Sequence, residues 1–497
     1  MARPANRRGP RGPLVLAAAA VSTAVVAHGP VAAASVRVVA AGRQAPVLAF
    51  ADGFVRGRTE GERIASFRRL RAIGVRVIRL DFRWSSLERI GRPLHRYVWA
   101  AQDREVSAIR AAGLRVLAIL DYGNPNYSHA GWQAYVHGQK PTGPFGVGDP
   151  QYYPPDDPRS FARFASDVAR RYRRDVIGWE IWNEENEGWR FWEPKENPVA
   201  YGRLLCAAHR ALVKVDAGVP VAFGGLFFPG FFSTGATKFL GQVLARGGPA
   251  VRHCFDAVAY HPYPYPFTSP EAIVHGRGSV IGAADQLRAM LHRYGLGQVP
   301  LWDTEVGWPT NFRGNGVTER RQARYAARLE LLSWVHTVPL LTWYTWGDES
   351  DPGGLNQEAH FGFFRTDGTP KPAYRALVVL QRELGGPGWR FVADRSRALG
   401  LPSGHRGVGE GFALQFAGPR GRWVLVLWYA NERPPASSNP LGPVEPGTPP
   451  RTVHVRVRLA GPGTIVEMLG PRHSVSAGTL RVAIGQDPIY VVGRVDY

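Results

Sequence analysis

The sequence predicts an α/β fold: a (β/α)8 TIM barrel followed by a small all-β, sandwich-like domain. Three observations predict it. Between residues 47 and 385, apolar strand-like runs alternate with helix-like segments in eight successive units. No Gly-rich phosphate loop follows the first strand, which sets aside a doubly wound open sheet. From about Gly386 helical periodicity stops, and short β-rich runs between Gly and Pro turns replace it.

The chain divides into four parts. Arg3, Arg7, Arg8 and Arg11 precede an apolar Ala/Val/Leu run from Leu14 to Val26, followed by Ala32-Ala33-Ala34-Ser35. A basic start, a short apolar run and small residues are the pattern of a signal peptide, here 1–34. The mature chain is therefore expected to be secreted or held in the cell envelope, with no membrane contact after cleavage. An uncleaved anchor is the alternative, although the run is short and Ala-rich for a span. Arg7-Arg8 fits twin-arginine export, but Gly9-Pro10 after it does not, so the export route stays open.

Residues 35–46 lead into the barrel, 47–385. Its predicted strands are 47–52, 75–81, 114–121, 176–184, 219–225, 255–263, 299–305 and 340–346. Its predicted helices are 62–73, 100–112, 158–174, 197–216, 237–246, 280–294, 318–335 and 371–384. The accessory domain, 386–497, has predicted strands at 412–416, 423–428, 452–459, 464–468 and 489–492. No Ser/Thr/Pro linker precedes it, so a domain packed on the barrel is expected rather than a detached carbohydrate-binding module.

Composition narrows the partners. The 497 residues are 44% hydrophobic and include 15 Trp, enough for a large core and an aromatic-lined cleft. The formal net charge is +21, carried almost entirely by Arg, since Lys occurs only at 140, 195, 214, 238 and 371. The Arg residues are scattered through helix-like segments, which argues against a nucleic-acid partner. A codon-biased, solvated surface is the expected reading of that charge, and affinity for an anionic polysaccharide or cell-wall polymer is the lesser alternative. Cys206 and Cys254 are the two cysteines, either paired in an oxidising compartment or two buried thiols. No Cys/His cluster has ligand spacing, so no metal and no cofactor are expected. A monomer is expected.

The chemistry gathers at predicted strand ends, where a barrel places its active site. Strand four ends Trp182-Asn183-Glu184, where an apolar run gives way to acid and amide groups that are costly to bury without partners. Strand two ends Arg79-Leu80-Asp81, strand three Asp121-Tyr122-Gly123-Asn124, and strand six His261-Pro262-Tyr263. Strand seven ends Asp303-Thr304-Glu305, and strand eight Trp343-Tyr344-Thr345-Trp346. Two carboxyls facing each other across such a mouth are the apparatus for cleaving a glycosidic bond. Glu184 and Glu305, on strands four and seven, form the candidate pair. A carboxyl separation of about 5–5.5 Å would mean retention, and about 6.5–9.5 Å inversion.

Trp182-Asn183-Glu184 and Thr304-Glu305 resemble the signature of clan A glycoside hydrolases, closest to the family 39 and family 5 type. Similarity extends to Leu120–Pro125, Phe255–Tyr263 and Phe361–Tyr374, in the family's order, over roughly 47–385. The resemblance implies Glu184 as acid/base and Glu305 as nucleophile. It implies Asn183 as the partner of the sugar 2-hydroxyl, and Arg79 and Tyr263 as groups that keep the nucleophile ionised. His261 falls beside the acid/base, and Trp346 falls at the aromatic floor of the subsite. Glu185 stands where the family usually has Pro, which puts the loop geometry in doubt. Glu180 points the same way as Glu184 but deeper, in place for an ion pair with an inward Arg.

Other groups have two readings. Asp81, Asp121 and Asp303 are either sugar contacts or interior partners of cations. Tyr127, Trp132, Tyr135, Tyr152 and Tyr153, in the long loop 126–158, either stack on sugars or pack the loop down. Trp189, in the segment Gly188–Trp192, is the better candidate for stacking, and the loop Asp348–Phe361 adds polar groups. The expected function is a secreted, cofactor-free retaining β-glycosidase acting on a poly- or oligosaccharide. A non-catalytic polysaccharide-binding protein and a transglycosylase are the alternatives, and the sugar stays open.

Overall fold

Eight parallel strands close on themselves. They are β1 (Val47–Ala51), β2 (Val77–Arg83), β3 (Arg115–Asp121), β4 (Val176–Asn183), β5 (Val221–Phe227), β6 (Ala257–His261), β7 (Leu301–Val306) and β8 (Leu340–Trp343). Each pairs with its neighbours in chain order, and β8 returns to β1 through Val47↔Leu340 and Phe50↔Trp343. The computed structural model describes residues 44–51, 59–91, 93–142, 148–188, 190–228, 234–265, 267–273, 279–311, 316–354, 356–404, 408–432 and 451–496. The expected signal peptide, 1–34, lies outside the described residues, as does Trp189.

The strands are buried along nearly their whole length because they are covered on both faces. Inside, Ala49, Val77, Leu117, Ile177, Ala222, Ala257, Ala259, Trp302 and Leu340 fill the barrel. Gly178 makes room for the largest of these: a Cβ there would lie 2.9 Å from the Trp302 ring. Outside run α1 (Glu60–Ala72), α2 (Ala100–Ala111), α3 (Pro158–Tyr172), α4 (Pro198–Val215), α5 (Ala236–Arg246), α6 (Val280–Arg293), α7 (Glu319–Val335) and α8 (Pro372–Leu384). Their starts are written locally. Thr59 and Glu62 form a capping box on α1, and Asp157, Asn197, Ser279 and Thr318 accept first-turn N–H groups of α3, α4, α6 and α7. Cys206 of α4 and Cys254, before β6, are joined as a disulfide.

The structure departs from the sequence reading at β8, which ends at Trp343 rather than at residue 346. Beyond it the chain pairs with its own loop: the Trp346 carbonyl accepts the Phe363 and Phe364 N–H groups. The loops also carry a small ribbon, Glu88–Ile90 with Arg96–Tyr97, and a short helix, His129–Val136.

After α8 come β9 (Arg390–Asp394), β10 (Glu410–Ala417), β11 (Trp423–Ala430), β12 (Val453–Leu459), β13 (Gly463–Glu467), β14 (Arg472–Val475), β15 (Gly478–Ile484), β16 (Ile489–Val492) and β17 (Val495–Asp496). They form a six-stranded sheet, β9-β10-β11-β16-β13-β14, and a three-stranded one, β15-β12-β17. Ala413, Leu425 and Leu427 of the first meet Val455, Val457 and Ile484 of the second, which makes a sandwich. The other face of the large sheet, with Leu414, Phe416, Val426 and Trp428, joins the barrel core.

That junction is built on α7, whose residues Gln322–Trp334 are all buried. Trp334 meets Phe416 edge-on, ring centroids 5.0 Å apart, and the Trp428 Nε1–H donates to Glu271 Oε1 at 2.9 Å. Arg328 Nη1 donates to Glu432 Oε2 at 3.0 Å, and Arg324 Nε to Asp487 Oδ1 at 2.9 Å. Among the described residues no helix is long and apolar enough to cross a membrane.

Candidate active site

The end of β4 sets the site. Trp182 and Glu184 have φ of 72° and 51°, a left-handed backbone that costs a non-glycine residue about 1–2 kcal/mol. The turn holds because the Glu184 N–H donates to the Gly225 carbonyl at 3.0 Å and the Trp182 ring is walled in by Trp192 and Tyr122. Gly225 must lack a side chain, since a Cβ would lie 2.2 Å from His261 Nε2.

Arg79, rising from β2, ties the centre together. Its Nε and Nη2 donate to both oxygens of Glu180 at 2.9 Å, Nη2 also to Asn183 Oδ1 at 3.0 Å, and Nη1 to Glu305 Oε1 at 2.5 Å. Asn183 in turn donates Nδ2–H to the Tyr122 hydroxyl at 3.0 Å, and Tyr263 donates its hydroxyl to Glu305 Oε2 at 3.0 Å. Glu184 and Glu305 face each other. One oxygen of each, together with a ring nitrogen of His261, lies within 4.8 Å of the other two. Three such groups have the spacing of a metal-ligand set, but a cation there would sit against the buried Arg79 guanidinium already bonded to Glu305.

The two carboxyls are held in opposite states. Burial pushes the Glu184 carboxyl up to about 8, the nearby Glu305 adds to the rise, and Arg190 works against it. Burial also works to raise Glu305, but His261, Arg79 and the Tyr263 hydroxyl outweigh it and leave it below the usual glutamate value. His261 is itself pushed down by burial to about 4, so at neutral pH its ring is uncharged and Arg79 and Tyr263 carry the effect.

Hydrogen-bond bookkeeping gives the same proton placement. Thr304 spends its single hydroxyl proton on Glu180 Oε1 at 3.1 Å, so it accepts from His261 Nε2 at 3.1 Å. His261 Nδ1 is then a bare acceptor, 2.8 Å from Glu184 Oε1, and the proton between them belongs to Glu184.

Of the residues singled out in the sequence, Arg79, Asn183, Glu184, His261, Tyr263 and Glu305 come together in this one network. Trp346 is buried. It packs on Phe364 at 5.3 Å, and Tyr344, two residues earlier, is the ring near Tyr263 and Phe361, at 6.4 and 5.3 Å. Around Trp189, Phe191 stacks on Tyr122 at 5.4 Å and Trp192 lies on Trp182 at 4.9 Å, so these two rings wall the site from behind.

Glu185 is turned into the protein, beside Tyr201 and against Gly224, where a Cβ would meet its Oε2 at 2.2 Å. Neither of its oxygens has a hydrogen bond of good geometry, and burial pushes its pKa well above the ordinary value. Asp81 pairs with Arg83 at 3.0 Å, and Asp121 is buried without a hydrogen bond, its pKa raised by burial and by Asp81. Asp303 is buried and raised in the same way, by burial and then by Glu305. Asp348 is paired with Lys371 at 2.7 Å and Asp351 with His360 at 3.2 Å, which fastens their loop.

Four residues were missed in the sequence. Thr304 stands inside the Thr304-Glu305 motif, where the sequence gives it no role of its own. Tyr344 lay one residue beyond the true end of β8. Arg190 and Glu358 come from loops, and both act on the charge of Glu184, Arg190 lowering its pKa and Glu358 raising it. No strand periodicity points at either.

No family model matches the sequence, and no curated protein matches it either. Solved structures do match in fold. A family 39 glycoside hydrolase from the gut symbiont Bacteroides cellulosilyticus has 23% identity and a TM-score of 0.67, over 91% of this chain and 82% of its own. A family 39 enzyme from Xanthomonas axonopodis pv. citri has 16% identity and a TM-score of 0.59, over 90% and 95%. A monomeric β-xylosidase from Caulobacter crescentus has 16% identity and a TM-score of 0.58, over 90% and 97%. The chain is thus a (β/α)8 barrel with an attached β-sandwich, in the fold found in solved family 39 glycoside hydrolases.

Proposed function

We propose that this chain is a retaining β-glycosidase that hydrolyses O-glycosidic bonds in a poly- or oligosaccharide, with Glu305 as nucleophile and Glu184 as acid/base. One observation carries the reading: a buried carboxyl and a partly buried one with oxygens within 4.8 Å of each other, the first held protonated and the second ionised. That spacing fits the closer of the two glycosidase geometries, in which no water fits between the carboxyls and the second must attack directly.

In the first step Glu305 bonds to the anomeric carbon while the bond from that carbon to the leaving oxygen breaks, and the leaving oxygen takes the Glu184 proton. In the second, Glu184 removes a proton from water, the water oxygen bonds to the anomeric carbon, and Glu305 leaves as carboxylate. Two inversions give net retention. Arg79 and Tyr263 stabilise the carboxylate before attack and after release, and Asn183 stands where a sugar 2-hydroxyl would reach it.

Glu305→Gln is expected to abolish turnover of an activated aryl β-glycoside with the fold intact, and retained activity would sink the proposal. β-Xylosides are the first substrates to try, because one of the similar structures is a β-xylosidase. For Glu184→Ala, azide is expected to restore activity and give a β-glycosyl azide; an α-azide would mean that Glu184 is misassigned. A fluoroglycoside label on Glu305 separates this reading from a non-catalytic polysaccharide-binding protein, and product analysis separates hydrolysis from transglycosylation. Secretion is part of the proposal, supported by the basic-then-apolar N-terminus and by the Cys206–Cys254 disulfide.

A further inference from the structure

The long loop after β3 divides its aromatic residues into two kinds. Tyr127 and Tyr152 are buried, Tyr127 stacked on Trp84 at 4.8 Å and Tyr152 edge-on to Tyr122 at 4.8 Å. Trp132 and Tyr135, on the short helix His129–Val136, are 43% and 60% exposed and lie 5.6 Å apart. Among the described residues Trp132 is the one exposed Trp. Its indole lines a pocket of about 480 Å³ whose other walls include Ser128, His129, Asp156, Asp157 and Ser160.

The pocket sets the part-exposed Trp132 indole beside hydroxyl, imidazole and carboxylate groups. A nucleotide site would want a Lys or Arg for the phosphate, which the lining lacks, and a peptide site more apolar area. A pyranose has an apolar C–H face for the ring and equatorial hydroxyls for the polar wall. Asp156 is poised for the second task, since one of its oxygens takes the His129 N–H at 2.8 Å and pins the carboxylate at the pocket edge. The placement fits a polymer: the loop leaves the carboxyl end of β3, the rim on which Glu184 and Glu305 stand.

We propose that Trp132 and the Ser128–Asp156 pocket form a saccharide-binding site separate from the catalytic centre, which holds a stretch of the polysaccharide beyond the bond being cleaved. The choice of a sugar as occupant rests on the glycosidase reading above. The substrate of that site is then a chain of several residues rather than a short glycoside.

Affinity electrophoresis of the full chain carrying Glu305→Gln, in gels containing xylan, mixed-linkage β-glucan, galactomannan or galactan, tests this without turnover. Retardation by at least one polymer is expected, weakened at least about fivefold by Trp132→Ala and restored by Trp132→Phe, as loss and return of an aromatic face require. Thermal melting confirms that both variants are folded, which the ring's exposure favours. Retardation by none of the four polymers, or equal retardation of Trp132→Ala, overturns the site. Glycosidase activity then stands or falls separately: an active Glu305→Gln enzyme that is still retarded through Trp132 would remove the catalytic assignment and leave the binding site.

Discussion

Tyr263 contributes one hydroxyl proton to Glu305, and its loss measures how much the ionised state of that carboxylate matters. Tyr263→Phe is expected to lower kcat about 100-fold, the usual effect of removing one well-placed donor. It is also expected to move the acid limb of the pH–rate profile upward, which a purely structural role would not do. In the unaltered chain the profile should be a bell. On the proposed mechanism activity requires Glu305 ionised, so it rises through a pKa below the ordinary glutamate value, and requires Glu184 protonated, so it falls near pH 8. Glu185 bears on stability. Its folded pKa is raised, so the folded state prefers the proton, and stability declines as pH rises from the unfolded value toward the folded one. Glu185→Gln should make the loss of unfolding free energy between pH 5 and 8 shallower, as urea midpoints at the two pH values would register. The candidate pair of carboxyls was legible in the sequence because strand ends announce themselves; the pairing of Thr304 with His261 was not. Alternation along β7 assigns Thr304 and Glu305 to opposite faces. The register of β7 against β8 shifts between Leu341 and Trp343, and Thr304 and Glu305 both reach the site.

At the scale of elements, the apolar runs gave the barrel strands, because strands covered on both faces are read as near-continuous hydrophobic stretches. β14 was invisible for the opposite reason: Arg472, His473 and Ser474 are exposed on an edge strand with almost no apolar signal. β15 was missed although Leu480, Val482 and Ile484 alternate with the exposed Thr479, Arg481 and Ala483, because the run is short and starts at a Gly turn. The disulfide between α4 and the segment before β6 closes a separation of 48 residues. Replacing both cysteines by Ala should lower the unfolding free energy by about 2–5 kcal/mol, seen as a drop in the denaturation midpoint under non-reducing conditions only. Gly225 is another constraint on an element. Gly225→Ala drives a methyl into His261 and should cost activity before it costs the fold, with circular dichroism unchanged while turnover falls.

Across the whole molecule the sandwich functions as a wall of the barrel. Arg328 is buried between Glu432 and Glu271, at 3.0 and 3.6 Å, so Arg328→Met would take the cation from Glu271 and leave Glu432 with Arg324 alone, at 3.3 Å. Breaking a buried pair on one side costs about 3–5 kcal/mol, and a matching fall in thermal stability is expected. The sequence could place the sandwich after the barrel, but not against α7, because packing between distant segments leaves no local periodicity. That long-range closure has a consequence for synthesis. The contacts from Arg324 and Arg320 to Asp487 span 163 and 167 residues. A ribosome adding about 5–20 residues per second needs on the order of ten seconds to bridge that distance. Throughout that interval the nascent barrel carries an uncovered apolar flank, and it is finished only when nearly the last strand has been made.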